Sequence, residues 1–144
     1  MIDVNVMGLS ICTREALKSM KQKGMDQGHI IHINSLAGHY DVVQPGFHMY
    51  SATKHAVTAL TEGLRRELVD KGSKIRVTSI SPGLVDTEIL RRGTVDNVDA
   101  DELYKKAPSL NPKDISDAVL YVLGTPPHVQ IHELTIQPVG EVKL

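Results

Sequence analysis

The stretch YSATKHAVTALTEGLRREL, Tyr50 to Leu68, decides the fold. It reads as a long helix, and it lies between two short β-branched runs, HIIHIN (29–34) and KIRVTSI (74–80). A helix between two buried strands is a βαβ unit, and such units build parallel sheets. Ala52, Ala56, Ala59, Leu60, Gly63 and Leu64 fall together on one face, which predicts a close neighbour there. Tyr50 precedes Lys54 by four residues, so a phenol and an ammonium share a helical face. Taken alone, such a pair is a wet helix surface.

Outward from this unit the pattern continues. Leu9, Cys12, Ala16 and Met20 recur at near-helical spacing and predict a helix over 4–22. KGMDQGH breaks it with two glycines. After the second strand, SPG stops the chain, DTEILRRG suits a short helical turn, and the polar stretch 93–110 reads as a mobile loop. NPKDISDAVLYVLG carries a cap at Asn111, Pro112 at the first helical position and Asp114 near the positive end. Its apolar stripe is Ile115, Ala118, Val119, Val122 and Leu123, with Gly124 at the stop. HELTIQPV, with Leu134 and Ile136 alternating, gives a third strand. The order α-β-α-β-α-β predicts one α/β domain with a parallel sheet and crossover helices. Doubly wound sheets usually carry about five or more strands, so this plan looks like half of a larger sheet.

The bulk numbers exclude several classes. The chain has 144 residues, 41% of them hydrophobic, and a net charge of −1, which reads as soluble and globular. No basic excess points to nucleic acid or an acidic membrane. Aromatics are 3% with no Trp, so the core must be aliphatic. A single cysteine, Cys12, permits no internal disulfide and suggests a reducing, cytoplasmic setting; on its helix it reads as a small apolar filler. No stretch is long and apolar enough to span a bilayer, and MIDVNVMGLS lacks the features of a signal peptide. Seven histidines raise the question of a metal. His29 and His32 have opposite strand parity, and His128 and His132 follow a Thr-Pro-Pro break, so no metal site is expected. LRREL reads as an exposed charged face.

In α/β sheets ligands lie beyond the carboxyl ends of the strands. Ser35 follows the first strand, and Pro82 and Gly83 follow the second. Tyr50 and Lys54 open the helix between them. A hydroxyl, a phenol and an ammonium therefore converge, which suits hydride transfer at a carbonyl. Ser35 holds the oxygen, Tyr50 gives or takes a proton, and Lys54 makes the phenol more acidic.

NVMG (5–8), INSLAG (33–38), YSATK (50–54) and SPGLVDT (81–87) stand in an order and spacing that resembles the short-chain dehydrogenase/reductases. The resemblance covers nearly the whole chain. It implies a Rossmann-like doubly wound sheet, of which these residues give the C-terminal half. It implies that Asn5 helps position a water in the proton relay, that Ser35 polarises the carbonyl, and that Tyr50 is the general acid/base. It makes Lys54 the ribose-binding, tyrosine-tuning lysine, and has Pro82, Gly83, Val85 and Thr87 pack on the nicotinamide and bond its carboxamide. From the residues alone, Asn5 is equally a helix-start residue, Thr87 a cap for the next helix, and Asn34 a structural residue. The implied cofactor is NADP(H), with NAD possible, and the implied substrate a small lipophilic carbonyl or alcohol such as a steroid or isoprenoid. The stretch 88–107 corresponds to the variable substrate lid, and helices 4–22 and 50–68 to subunit-interface helices of a homo-oligomer.

The family's opening strand and glycine-rich phosphate turn have no counterpart here, nor does its Asn-Asn-Ala-Gly element. The expectation is therefore a chain that corresponds to the C-terminal half. Its first strand would expose an edge meant to be paired, and alone it would be poorly stable and catalytically silent. The alternative to an enzyme is an inert fragment, or one that pairs with full-length subunits.

Overall fold

The computed structural model describes residues 1–40, 42, 46–92 and 99–141. A π-helical turn, Asp3–Gly8, runs directly into α1, Leu9–Gln22. There follow β1 (Gln27–Ile33), a 3-10 turn (Leu36–Gly38), α2 (His48–Asp70) and β2 (Lys74–Pro82). Two short helices, α3 (Glu88–Arg92) and α4 (Ala100–Lys106), precede α5 (Pro112–Gly124) and β3 (Glu133–Ile136). The three strands form one parallel sheet in the order β1-β2-β3. Gln27 pairs with Lys74 and Ile33 with Ile80; Ser79 pairs with Glu133 and Pro82 with Ile136.

β2 is the middle strand, and Val77 to Pro82 are buried without a break, as a strand covered on both faces requires. Ile30, Leu68 and Val77 form a core cluster, walled by Ala16, Leu17, Met20, Leu64 and Ile75 from α1, α2 and β2. On the other face Arg76 donates to the carbonyl and hydroxyl of Thr125, just past α5. Buried hydroxyls and one imidazole tie the helices to the sheet. His32 bonds Thr13 on α1 at 3.0 Å and Thr61 on α2 at 2.8 Å. His29 points the other way, to Thr78 at 2.7 Å, as opposite parity on a strand demands.

Three expectations need correction. The buried side of α2 is Ser51, Thr53, Val57, Thr61 and Leu68, while Ala52, Ala59, Leu60 and Gly63 are exposed. Threonine hydroxyls bond back to carbonyls one turn earlier, as Thr61 does to Val57 at 2.7 Å, and so enter the interior without an unmet donor. Cys12 is exposed and fills no core space. The stretch read as a loop over 93–110 contains α4; residues 93–98 lie outside the described part. Asp99 caps α4 through the N–H groups of Asp101 and Glu102, both at 3.1 Å, and Glu102 pairs with Lys105 and Lys106 along its surface. Charged one-turn pairs made a short solvated helix look like a polar loop. At α5 the capping box between Asn111 and Asp114 is present as read.

Candidate active site

β1 delivers Ser35 to the sheet's carboxyl end. Asn34 extends the ladder by donating its N–H to Ile80 O at 2.7 Å, so Ser35 is the first residue beyond it. The Ser35 hydroxyl then caps the 3-10 turn, accepting from Ala37 N at 3.2 Å. That turn lies flat on α2. A methyl group at Gly38 would sit 2.7 Å from Asn34 Nδ2 and 2.8 Å from the Lys54 carbonyl, so only glycine fits.

Tyr50 lies in the first turn of α2, with its phenol near enough to Ser35 for that side chain to favour its ionised form. Phe47 meets its ring edge-on at 6.3 Å. Lys54, one turn on, sends its ammonium to the end of β1, donating to Ile33 O and Asn34 O at 3.1 Å each. The same nitrogen lies 5.7 Å from the Tyr50 ring centroid. Ser35, Tyr50 and Lys54 are thus gathered at one corner.

The electrostatics differ from the sequence expectation. Burial pushes the Tyr50 phenol above the ordinary tyrosine value, and the Ser35 side chain pulls it back. Burial also lowers Lys54 below the ordinary lysine value. The ammonium donates to two carbonyl oxygens and also lies against the face of the Tyr50 ring. Near neutral pH Tyr50 is a protonated phenol, equipped to donate. A lysine ammonium has three donors, and two are used. Among the described residues no carboxylate pairs with Lys54, so a third N–H is left for a hydroxyl of a bound molecule.

Asn5 does not join this corner directly. Its side-chain amide donates to Thr53 Oγ1 at 3.0 Å, and Thr53 donates to the Tyr50 carbonyl at 2.8 Å. Asn34 is buried and bonds Thr58 at 2.9 Å, the structural role open to it from sequence. Pro82 ends β2, and Gly83 donates to Ile136 O at 2.7 Å. Thr87 accepts the Ile89 N–H at 3.3 Å, so it does cap α3, and its own hydroxyl hydrogen has no acceptor among the described residues.

Three residues of this region escaped the sequence reading. Thr53 sits inside the YSATK motif, but helix periodicity gave no hint of its bond to Asn5. Tyr104 on α4 bonds Val85 O and Thr87 O, each at 3.2 Å, from within the supposed loop. His39, six residues past β1, bonds Ser81 near the end of β2 at 2.9 Å and approaches Glu133, the first residue of β3, at 3.3 Å.

The family model for short chain dehydrogenase matches residues 1–97. The chain belongs to the short-chain dehydrogenase family. It is 51% identical to mouse dehydrogenase/reductase SDR family member 11 over 143 residues, covering 99% of this chain and 55% of that protein. It is 54% identical to farnesol dehydrogenase of Aedes aegypti over 140 residues, 97% of this chain and 54% of the mosquito protein. The chain thus spans about half the length of these curated relatives. Among solved structures, the closed form of serine dehydrogenase complexed with NADP+ superposes with a TM-score of 0.84 at 37% identity, over 99% of this chain and 56% of that one. A 4-hydroxyisoleucine dehydrogenase complexed with NADH gives 0.72 at 27% identity, over 95% and 56%. Both are Rossmann-type oxidoreductases of this family, so the three-stranded parallel sheet is part of that architecture.

Proposed function

We propose that this chain carries the proton-transfer corner and the nicotinamide-facing segment of an NADP(H)-dependent oxidoreductase. It would interconvert a carbonyl and a secondary or allylic alcohol on a lipophilic molecule of the isoprenoid or steroid class. The observation that carries the reading is the Ser35–Tyr50–Lys54 cluster beyond β1, with its phenol protonated and one lysine N–H left over. The farnesol dehydrogenase name of a 54%-identical relative supports the substrate class. NADP+ in one similar structure and NADH in another support a nicotinamide cofactor, and NAD remains the second choice.

The donors present suit the nicotinamide end of such a cofactor. Lys54 would hold a ribose hydroxyl with its remaining N–H. The Val85 N–H, which has no acceptor among the described residues, and the Thr87 hydroxyl would take the carboxamide. When bound, the cofactor supplies or accepts the hydride. Ser35 orients the substrate carbonyl by donating to its oxygen. Tyr50 gives that oxygen its phenolic proton as the carbonyl carbon becomes tetrahedral, and takes a proton back in alcohol oxidation. Asn5, through Thr53, fixes the first turn of α2 and so the aim of Tyr50.

A second reading has its own support. Among the described residues no strand pairs with the outer edge of β1, Ile33 on it is 49% exposed, and Val4, Met7, Ile11 and Leu60 on the helical side are exposed too. We infer that the 144 residues alone are catalytically silent and gain activity, if at all, by pairing with a full-length subunit through residues 4–22 and 50–68. An NADPH titration of the purified chain, followed by cofactor fluorescence, separates the readings. Saturable micromolar binding, followed by farnesol or ketosteroid turnover that Tyr50→Phe abolishes, supports the catalytic reading. No binding and no turnover supports the silent one.

A further inference from the structure

The residues after β3 return to the turn that follows β2. Gly140, at a φ of +86°, reverses the backbone, and Glu141 N donates to Pro138 O at 3.2 Å. Glu141 is thereby brought over Gly83. Its Oε1 accepts the Leu84 N–H at 2.7 Å, and its Oε2 accepts from the Gln137 amide at 3.2 Å. The contact with Gly83 is close: a methyl group there would overlap Oε2. Among the described residues no cation pairs with Glu141, so neutral donors alone hold its charge. Hydrogen bonds to an ionised acceptor are roughly twice as strong as neutral ones.

We propose that Glu141 is a positioning residue for the segment Gly83–Thr87, clamping its backbone in the shape that receives the nicotinamide end of the cofactor. The proposal rests on the reading of that segment given above. The segment is also tied to β3, where Gly83 N donates to Ile136 O at 2.7 Å, to Arg91 of α3, which donates to Asp86 Oδ1 and Thr87 O, and to the α4–α5 side: Leu110 N to Leu84 O at 2.8 Å, Asp86 N to Leu110 O at 2.9 Å, and the Tyr104 hydroxyl to Val85 O and Thr87 O. Glu141 adds the tie from beyond β3, one residue before the Val85 N–H. It also gives Gly83 a reason that needs no cofactor, because any side chain there would displace the carboxylate. The clamp links the end of the described chain to the cofactor segment.

The test is amide hydrogen exchange of the full 144-residue chain, with an NADPH titration on the same samples. Glu141→Ala is expected to speed exchange at Leu84 by about tenfold or more, and to weaken NADPH binding by about tenfold. Val77, fully buried near the middle of β2, should exchange as before. Glu141→Gln keeps an acceptor for the Leu84 N–H, and should stay within about threefold of the unsubstituted chain on both readouts. Gly83→Ala keeps the carboxylate but pushes it away, and should expose Leu84 as Glu141→Ala does; it replaces that variant if Glu141→Ala does not fold. Unchanged Leu84 exchange in Glu141→Ala overturns the clamp. So does an exposed Leu84 with NADPH affinity intact, while the cofactor reading survives. If the unsubstituted chain binds no NADPH, the chain alone is silent as in the second reading above, and the Leu84 comparison, which needs no cofactor, decides the clamp.

Discussion

Asn5 and Thr53, forty-eight residues apart in sequence, are joined by a 3.0 Å hydrogen bond that ties the turn before α1 to the turn of α2 carrying Tyr50. Thr53 is 2% exposed, so its hydroxyl has no water to fall back on. Thr53→Val and Asn5→Ala should each cost about 1 kcal/mol in chemical denaturation, and the double variant should cost less than their sum. A double-mutant cycle should give a coupling of about 0.5–1.5 kcal/mol. Strict additivity would show that the bond is not formed in solution.

Tyr50 titrates against two opposing influences. Burial raises it and the Ser35 side chain lowers it, so Ser35→Ala should move its ionisation to still higher pH. Ultraviolet titration with Tyr50→Phe as the subtraction control isolates this one phenol among four tyrosines. The linkage sign follows. A folded value raised above 10.0 means that the associated stability is complete below 10.0 and is lost as pH rises through the folded value.

His32 behaves oppositely. Burial lowers it below 6.5, and its two ring nitrogens are engaged by Thr13 and Thr61. The unfolded chain then binds a proton before the folded one does, so stability should fall as pH drops below 6.5. His29, lowered by burial and by Arg76, adds in the same direction. Urea midpoints measured across this range should decline toward acid, and His32→Gln should flatten the decline. An unchanged slope would remove His32 from the account.

Ile80 is fully buried on β2, whereas Leu120 on α5 is 65% exposed. Ile80→Ala should cost about 2–5 kcal/mol and Leu120→Ala no more than about 0.5 kcal/mol by the same denaturation assay. Similar losses at both positions would mean that Leu120 is covered in solution.

The βαβ unit was legible because β-branched runs and a long helical stretch are local signals. The convergence of Ser35, Tyr50 and Lys54 followed from topology, since every strand of a parallel sheet ends on the same side. What escaped the sequence were choices made by tertiary contacts. Alanines marked a face of α2 that is in fact exposed, while threonines with self-satisfied hydroxyls went inside. Lys54 lies beside Tyr50 as its helical spacing implies, but its bonds to two backbone carbonyls, which no side-chain pattern displays, were invisible in the sequence. Tyr104 was lost because a helix held by charge pairs has no apolar stripe to announce it.

Lys54's grip on the Ile33 and Asn34 carbonyls also bears on how the chain finds its fold. A strand can pair one residue out of step, which turns every side chain to the wrong face. Such a slip in β1 would bury Ile31 and Ile33 where His32 meets its two threonines, and would carry both carbonyls away from the ammonium. The misaligned strand would therefore lose its imidazole bonds and its lysine bonds together. The residues read here as the reactive corner double as a checkpoint, closing only over a correctly threaded sheet.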